Sequence, residues 1–137
     1  MLVKDVMNTE PYLLHEEDTI LSASHFMKQE KIRNLPVVDK NKKLTGLVTL
    51  REIIETVFTN PGKILVKDAM IKSVTSIKPD TPLKSAIEVM LINKYGCLPV
   101  IDNDNKLIGM VTESELLKTL YEISTLPDEL LKVKAKK

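Results

Sequence analysis

The sequence predicts an α+β fold built from two like units packed as a symmetric pair, and three observations predict it. Three words return in the same order at one spacing of 63 residues. "VKDVM" at Val3 to Met7 comes back as "VKDAM" at Val66 to Met70, "LPVVD" at Leu35 to Asp39 as "LPVID" at Leu98 to Asp102, and "LTGLVTLRE" at Leu44 to Glu52 as "LIGMVTESE" at Leu107 to Glu115. Within each copy, short β-branched runs alternate with stretches whose apolar residues recur at helical spacing. Each copy is also near the size, roughly 50 residues, at which a single core becomes marginal, so the two copies should form one domain.

Each copy reads strand, helix, strand, strand, helix. "SVTSI" before Lys78 has the composition of a short strand, and "PYLL" stands at the same place in the first copy. A helix follows in each, with Asp18 as the expected N-cap of the first, and Thr81 as that of the second with Pro82 at its first helical position. Ile20, Ala23 and Met27 form one apolar stripe, and Leu83, Ala86, Ile87 and Met90 form the other. "LPVVD" and "LTGLVT" flank the polar "KNKK", as "LPVID" and "LIGMVT" flank "NDNK", so each pair reads as an antiparallel hairpin. The acidic "DNDN" lacks the glycine and distal glutamate of a calcium loop and reads as a solvated turn. Gly46 and Gly109, inside the second strand of each hairpin, mark a bulge or a close approach by another backbone or a ligand.

The closing helices are "LREIIETVF" after Thr49 and "ESELLKTLY" after Thr112. Thr49 with Glu52, and Thr112 with Glu115, have the T-x-x-E spacing of a capping box. The Met7 and Met70 pair reads as core packing beneath each unit rather than a sulfur ligand site. The boundaries that follow are residues 1–58 for the first motif, 59–65 for a linker around "TNPG", 66–121 for the second motif and 122–137 for a tail. In the tail, Pro127 should end the preceding helix and start a short one through Glu129, Leu130 and Leu131.

Composition narrows the function classes. The formal net charge of +1 gives no general reason to expect nucleic acid as a partner, and the lysines at 132, 134, 136 and 137 read as a solubilising end. No run approaches the roughly 18 to 20 apolar residues of a membrane span, and the start lacks a signal-peptide core, so the expected location is the cytoplasm. The single cysteine, Cys97, excludes an internal disulfide, and His15 and His25 lack ligand spacing, so no metal site is expected. Cys97 has no histidine near it in sequence and reads as a small apolar wall residue rather than a nucleophile. No catalytic constellation is visible, and the chain does not read as an enzyme.

With these words in this order, given twice, the chain resembles the CBS domain family, the paired modules named after cystathionine β-synthase. The resemblance covers nearly all of Val3 to Leu117 and implies a compact pair with approximate two-fold symmetry, often dimerised into a disc of four motifs. It implies clefts between the motifs that bind AMP, ADP, ATP or S-adenosylmethionine, with no cofactor beyond that ligand. The family's G-h-x-T-x-x-D segment reads "GLVTLRE" and "GMVTESE" here, which places Thr49 and Thr112 toward ribose or phosphate and Glu52 and Glu115 at the ribose position. It further implies Arg33, Asn34 and Pro36 near phosphate, Tyr95, Gly96, Cys97 and Pro99 toward the base, and Val74 and Thr75 flanking adenine, with Lys63 and Lys78 as weaker phosphate candidates.

A physical case stands beside the resemblance. A helix start offers unpaired amides and a positive dipole end to an anion, and a threonine there can cap while still donating. A carboxylate accepts from both ribose hydroxyls, at roughly 1.5 to 3 kcal/mol for a hydrogen bond to a charged group. Both copies, however, carry glutamate where the family mostly has aspartate. One methylene longer, glutamate either completes its own capping box or reaches ribose. A ribose role predicts that Glu115→Ala weakens binding more than it lowers stability.

The expected function is a regulatory module that senses an adenine nucleotide or other adenosyl compound and passes the change to a partner protein, which should be another chain because no effector unit is visible. The alternative is an interaction scaffold without a ligand. Val89, Leu91 and Ile92 make the second copy's first helix apolar beyond one stripe, which predicts a homodimer through helices. Only the first copy supplies Arg33 and only the second supplies Tyr95, Gly96 and Cys97, so two clefts equal in fold should be unequal in affinity.

Overall fold

In the computed structural model, which describes residues 1–124, the repeat offset becomes a structural symmetry. A 3-10 turn at Val3–Asp5 is followed by β1 (Leu14–His15), α1 (Ile20–Glu30), β2 (Asn34–Val38), β3 (Leu44–Thr49) and α2 (Leu50–Glu55). The second copy runs α3 (Val66–Ala69), α4 (Leu83–Asn93), β4 (Cys97–Ile101), β5 (Leu107–Thr112) and α5 (Glu113–Ile123). The notions of a short helix through Glu129 and of a lysine-rich end lie outside the described residues.

Both hairpins form as expected, β2 against β3 and β4 against β5. Asp39 and Asp102 tie the two turns, each Oδ1 accepting two backbone amides at 2.8 to 3.0 Å. These bonds, that from Lys106 foremost, hold the Asp102 carboxyl below the usual carboxylate range. The "DNDN" stretch is therefore a turn closed by its own aspartate.

The first strands are unequal. β1 pairs in parallel with β2, whereas "SVTSI" keeps a single bridge, Ile77 to Val100, and is not a strand. The helix starts also differ from expectation by one residue. Thr19, not Asp18, caps α1 by accepting from the Ser22 amide at 3.1 Å, and Asp18 closes the preceding turn by accepting from the His15 amide at 2.8 Å. Pro82, not Thr81, is the N-cap residue of α4, with no side-chain cap, and the Leu83 amide donates to the Met1 carbonyl at 2.9 Å. α2 stops at Glu55, short of the expected Phe58, where the Thr56 and Thr59 hydroxyls bond back to the carbonyls of Ile53 and Thr56 at 2.7 Å each and compete with helical continuation.

The two copies exchange their opening segments. Val3 and Lys4 donate to the Thr81 and Pro79 carbonyls at 2.8 and 2.9 Å, and their repeat mates Val66 and Lys67 donate to Asp18 and Glu16 at 2.7 and 3.1 Å. Even the ion pairs match, Lys4 with Asp80 and Lys67 with Glu17, both at 3.2 Å. Val66 is consequently buried in the core of Leu14, Ile20, Leu35 and Val48, and Val3 in that of Ala86, Met90, Leu98 and Val111. Burying one such valine stabilises the fold by about 1.5 to 3 kcal/mol, so each half supplies part of the other's core. Met7 and Met70 pack beneath the units as expected, and follow the exchange, each under the opposite copy.

The glycines are explained by this exchange. Asn8 pairs with Met110 and Ile71 with Leu47, which brings a foreign backbone against each second strand. A Cβ on Gly46 would collide with the Met70 sulfur and stand 3.1 Å from the Ile71 carbonyl oxygen. One on Gly109 would stand 2.7 Å from the Met7 sulfur and 3.1 Å from the Asn8 oxygen. A bulge also occurs at the same place in each hairpin, between Val37 and Val38 on one side and Val100 and Ile101 on the other.

Candidate functional site

Where β3 runs into α2, Thr49 leaves extended backbone and its hydroxyl accepts from the Arg51 amide at 3.2 Å. Glu52, one turn on, reaches back, and its Oε1 accepts from the Thr49 amide at 2.6 Å and from the Thr49 hydroxyl at 2.7 Å. Glu52 as a residue is 6% exposed although its type is usually outside. A single oxygen takes both bonds, and Glu52 also lines a hollow at the junction of the copies. β5 and α5 repeat the device: Glu115 Oε2 accepts from the Thr112 amide at 2.9 Å and from the Thr112 hydroxyl. Both glutamates therefore complete capping boxes.

Three hollows lie along the junction of the copies. The largest, about 580 Å³, sets Asn34, Thr49 and Glu52 of the first copy against Val74, Thr75, Tyr95, Gly96 and Cys97 of the second. Its volume is within the range of small-molecule sites. Tyr95 and Thr75 are joined by a 3.2 Å hydrogen bond between their hydroxyls, which closes one side. Beside it, a cavity of about 550 Å³ is bordered by Lys31, Arg33, Arg51 and the start of α5, and shares Asn34, Thr49, Arg51 and Gly96 with the first. The third, about 180 Å³, is the symmetry mate of the largest, with Pro11, Tyr12, Pro36, Met110, Thr112 and Glu115 in its wall.

Eight of the thirteen expected positions thus meet in one cleft, and they come from both copies. Arg33 lines the adjoining cavity, Thr112 borders that cavity and the small cleft, and Glu115 and Pro36 border the small cleft alone. Pro99 lines none of the three, because it is buried in β4 and its carbonyl accepts from the Ile77 amide at 3.0 Å. Neither Lys63 nor Lys78 lines them, and the Lys78 ammonium instead donates to the Asp102 carbonyl at 2.9 Å. Arg33 and the Tyr95 wall, assigned by sequence to separate clefts, stand at neighbouring hollows that share one border.

Sequence reasoning missed Arg51, Lys31 and Lys94. Arg51 sits inside the T-x-x-E word and its signal was available; it pairs with Glu55 at 3.7 Å on the surface. Lys31 and Lys94 end α1 and α4 in the left-handed region, φ 57° and 58°, where glycine or asparagine is usual, so they carried no sequence sign of a helix end.

Cys97 is 4% exposed, and burial pushes its thiol up to about 12, with the Glu115 carboxylate adding to the shift. The thiol is neutral at ordinary pH and gives the cleft a small apolar wall. Among the described residues no cluster of histidine, cysteine, aspartate and glutamate is arranged to hold a metal ion, and no helix is long and apolar enough to cross a membrane.

The CBS domain model matches residues 3–58 and again 66–122, and the chain belongs to that family. Its fold is similar to that of a Vibrio cholerae protein assigned to acetoin utilization, AcuB, at 31% identity and a TM-score of 0.84 over 94% of this chain and 96% of that one. CBSX2 of Arabidopsis thaliana, solved in complex with AMP, is similar at 26% identity and a TM-score of 0.80, over 89% and 97% of the two chains. The CBS domain pair of protein MJ0100, solved with 5′-methylthioadenosine and S-adenosyl-L-methionine, is 25% identical with a TM-score of 0.78, over 89% and 97%. Among curated relatives, inosine-5′-monophosphate dehydrogenase of Methanocaldococcus jannaschii is 36% identical over 86% of this chain, which spans only 22% of that enzyme's length.

Proposed function

We propose that this CBS pair is a regulatory module that binds an adenosyl compound, one of AMP, ADP, ATP or S-adenosylmethionine, in the larger cleft and passes the change to a partner protein. The observation that carries this reading is Glu52, buried beside a hollow of about 580 Å³, with one oxygen committed to its helix and the other available to ribose. Capping and ligand binding are then one arrangement rather than rivals. Glu52 suits the ribose role better than Glu115, whose hollow is about 180 Å³. The ligands held by CBSX2 and by the MJ0100 pair support the same ligand class.

The module has no chemistry of its own in this reading. It acts in the cytoplasm, with motifs at 1–58 and 66–121 joined by 59–65 and followed by a tail at 122–137. A ligand acts on the partner only through a difference in affinity between two arrangements of the pair. The outward faces of α4 and α5, with Leu91 and Ile92 at 72% and 78% exposure and Tyr121 at 82%, are the proposed homodimer surface. Light scattering should give twice the chain mass at micromolar concentration.

Thermal unfolding against a panel of adenosyl compounds tests the reading. A ligand at 100 times its Kd stabilises by about 2.7 kcal/mol and raises the midpoint. A second reading, a ligand-free scaffold, rests on glutamate standing at both positions where the family mostly has aspartate, and a flat panel would establish it over the first.

A further inference from the structure

We infer that the homodimer assembles head-to-tail, the outward face of α1 and α2 on one chain receiving that of α4 and α5 on its partner, with the reverse contact repeating it. The inference rests on the homodimer reading above and adds the surface that α4 and α5 meet. Ile54, Val57 and Phe58 are exposed along α2 and the turn after it, Phe58 at 98%. Their repeat mates, Leu117, Leu120 and Tyr121, are exposed along α5. The spacing i, i+3, i+4 puts each set on one helical stripe. Both motifs thus leave the same apolar stripe facing outward, and a patch of that kind marks an interaction surface.

Charge decides which stripe meets which. Where two like-folded faces meet about a local two-fold axis, residues near the axis face the same position of the opposite face. Head-to-head contact would set Glu55 against the partner's Glu55 and Lys118 against the partner's Lys118, and opposed like charges are costly. Head-to-tail contact sets each against its repeat mate instead. Glu55 then faces the partner's Lys118, and His25 the partner's Glu88, all four being exposed. Lys28 and Arg51 have the uncharged mates Leu91 and Ser114, and Lys84, Glu113 and Glu122 have Leu21, Leu50 and Thr59. Lys31 and Lys94 are mates of like sign, but both end their helices at the hollows of the junction. The faces also differ in sum. On α1 and α2, Lys28 and Arg51 outweigh Glu55, because Glu30 accepts from the Tyr12 hydroxyl at 3.3 Å, where the Tyr12 ring packs edge-on against Phe26, centroids 5.0 Å apart. On α4 and α5, Glu88, Glu113 and Glu122 outweigh Lys84 and Lys118. Glu55 is held within the chain only by an exposed 3.7 Å contact with Arg51, which leaves it open to a cation from outside.

Shape points the same way. Between α4 and α5 lies a groove of about 340 Å³ walled by Ile87, Met90, Leu91 and Leu116, and Glu113 also lines it. The mate of Glu113 is the exposed Leu50, so head-to-tail contact brings a leucine to the groove where head-to-head contact would bring a second carboxylate. The leucine removes apolar surface from water, whereas the carboxylate would have to be desolvated.

Sedimentation equilibrium on the full chain, with Glu55→Lys, Lys118→Glu and the double variant, tests this once thermal melts show each to be folded. Either single reversal should weaken dimerisation at least about fivefold, since every dimer contains the contact twice, and the double reversal should return it to within about threefold of the parent. Cross-linking reads the orientation directly. Equimolar Thr59→Cys and Glu122→Cys chains treated with a short bismaleimide should yield a covalent dimer that neither yields alone, Cys97 being buried and its thiol neutral. Single reversals within about threefold of the parent, no restoration in the double variant, absence of the mixed covalent dimer or self-cross-linking of either cysteine variant would overturn head-to-tail contact and leave the dimer standing. A parent that stays monomeric would overturn the homodimer reading itself, and this inference with it.

Discussion

The larger cleft and its mate across the pseudo-two-fold axis use the same positions of the repeat, yet one measures about 580 Å³ and the other about 180 Å³. Their frames are alike: threonine at the end of a strand, glutamate one turn into a helix, and a glycine at which the exchanged segment crosses the strand. Their walls are not. The frame is under mechanical demand, because it starts a helix and admits a foreign backbone in each copy. The wall is free to diverge, and the bulk of Tyr12, where the larger cleft has Thr75, accompanies the loss of one hollow. Duplication therefore preserved what folds and allowed what binds to differ.

Cys97 probes that difference most sharply, since it lines the larger cleft while Glu115 of the smaller one raises its pKa. Its pKa of about 12, against 9.0 for a free thiol, leaves at least a hundredfold less thiolate at pH 8, and burial slows attack further. Iodoacetamide labelling of the folded protein should be slower than of the urea-unfolded chain by at least about a hundredfold. The linkage has a definite sign. The unfolded thiol ionises above pH 9 and the folded one only near 12, so this contribution to stability is complete below pH 9 and declines as pH rises toward 12. Urea unfolding at several pH values should show a steeper decline in the parent than in Cys97→Ala, the difference between the two being the thiol's contribution.

The glutamates should separate next. Glu52→Ala is expected to weaken adenosyl binding by about 10- to 100-fold, the worth of a charged hydrogen bond to ribose. Glu115→Ala should cost about 1 kcal/mol of stability through its cap and leave affinity within about threefold. Equal loss of affinity in calorimetry would make the clefts equivalent.

Gly46→Ala and Gly109→Ala should each lower stability by about 1 to 3 kcal/mol in urea melts, because the added carbon meets a methionine and a carbonyl of the exchanged segment. Gly46→Ala should also reduce binding, since Ile71 lines the larger cleft. The smallest effect belongs to Tyr12→Thr. Loss of the ring contact should cost about 1 kcal/mol, and calorimetry should reveal a second, weaker binding event where the parent shows one.

Hairpins, helices and both capping boxes were legible because each rests on short-range chemistry: apolar periodicity, a polar turn, and a threonine three residues before a glutamate. The same reading misjudged "SVTSI", whose β-branched residues suit a strand. There Val74 and Thr75 line the cleft, and only Ile77 keeps its bridge to the sheet. It placed the caps of α1 and α4 one residue early, because Asp18 and Thr19, like Thr81 and Pro82, are both acceptable cap or first-turn residues until the incoming carbonyls of Ile64 and Met1 select between them.

By itself, the sequence determined the family, the repeat, the two hairpins and the Thr–Glu frame, all of which depend on residues close in the chain or on their duplication. Tertiary structure alone decided which copy each "VKD" segment packs under, which wall faces which glutamate, and that Arg33 and Tyr95 border neighbouring hollows. The physical reason is symmetry. Two nearly identical segments present the same apolar face to either core, and no local pattern tells them apart. Only the short connection of the assembled chain, with Leu21 and Ile20 of α1 bonded to Pro61 and Ile64 of the linker, settles which one each core receives.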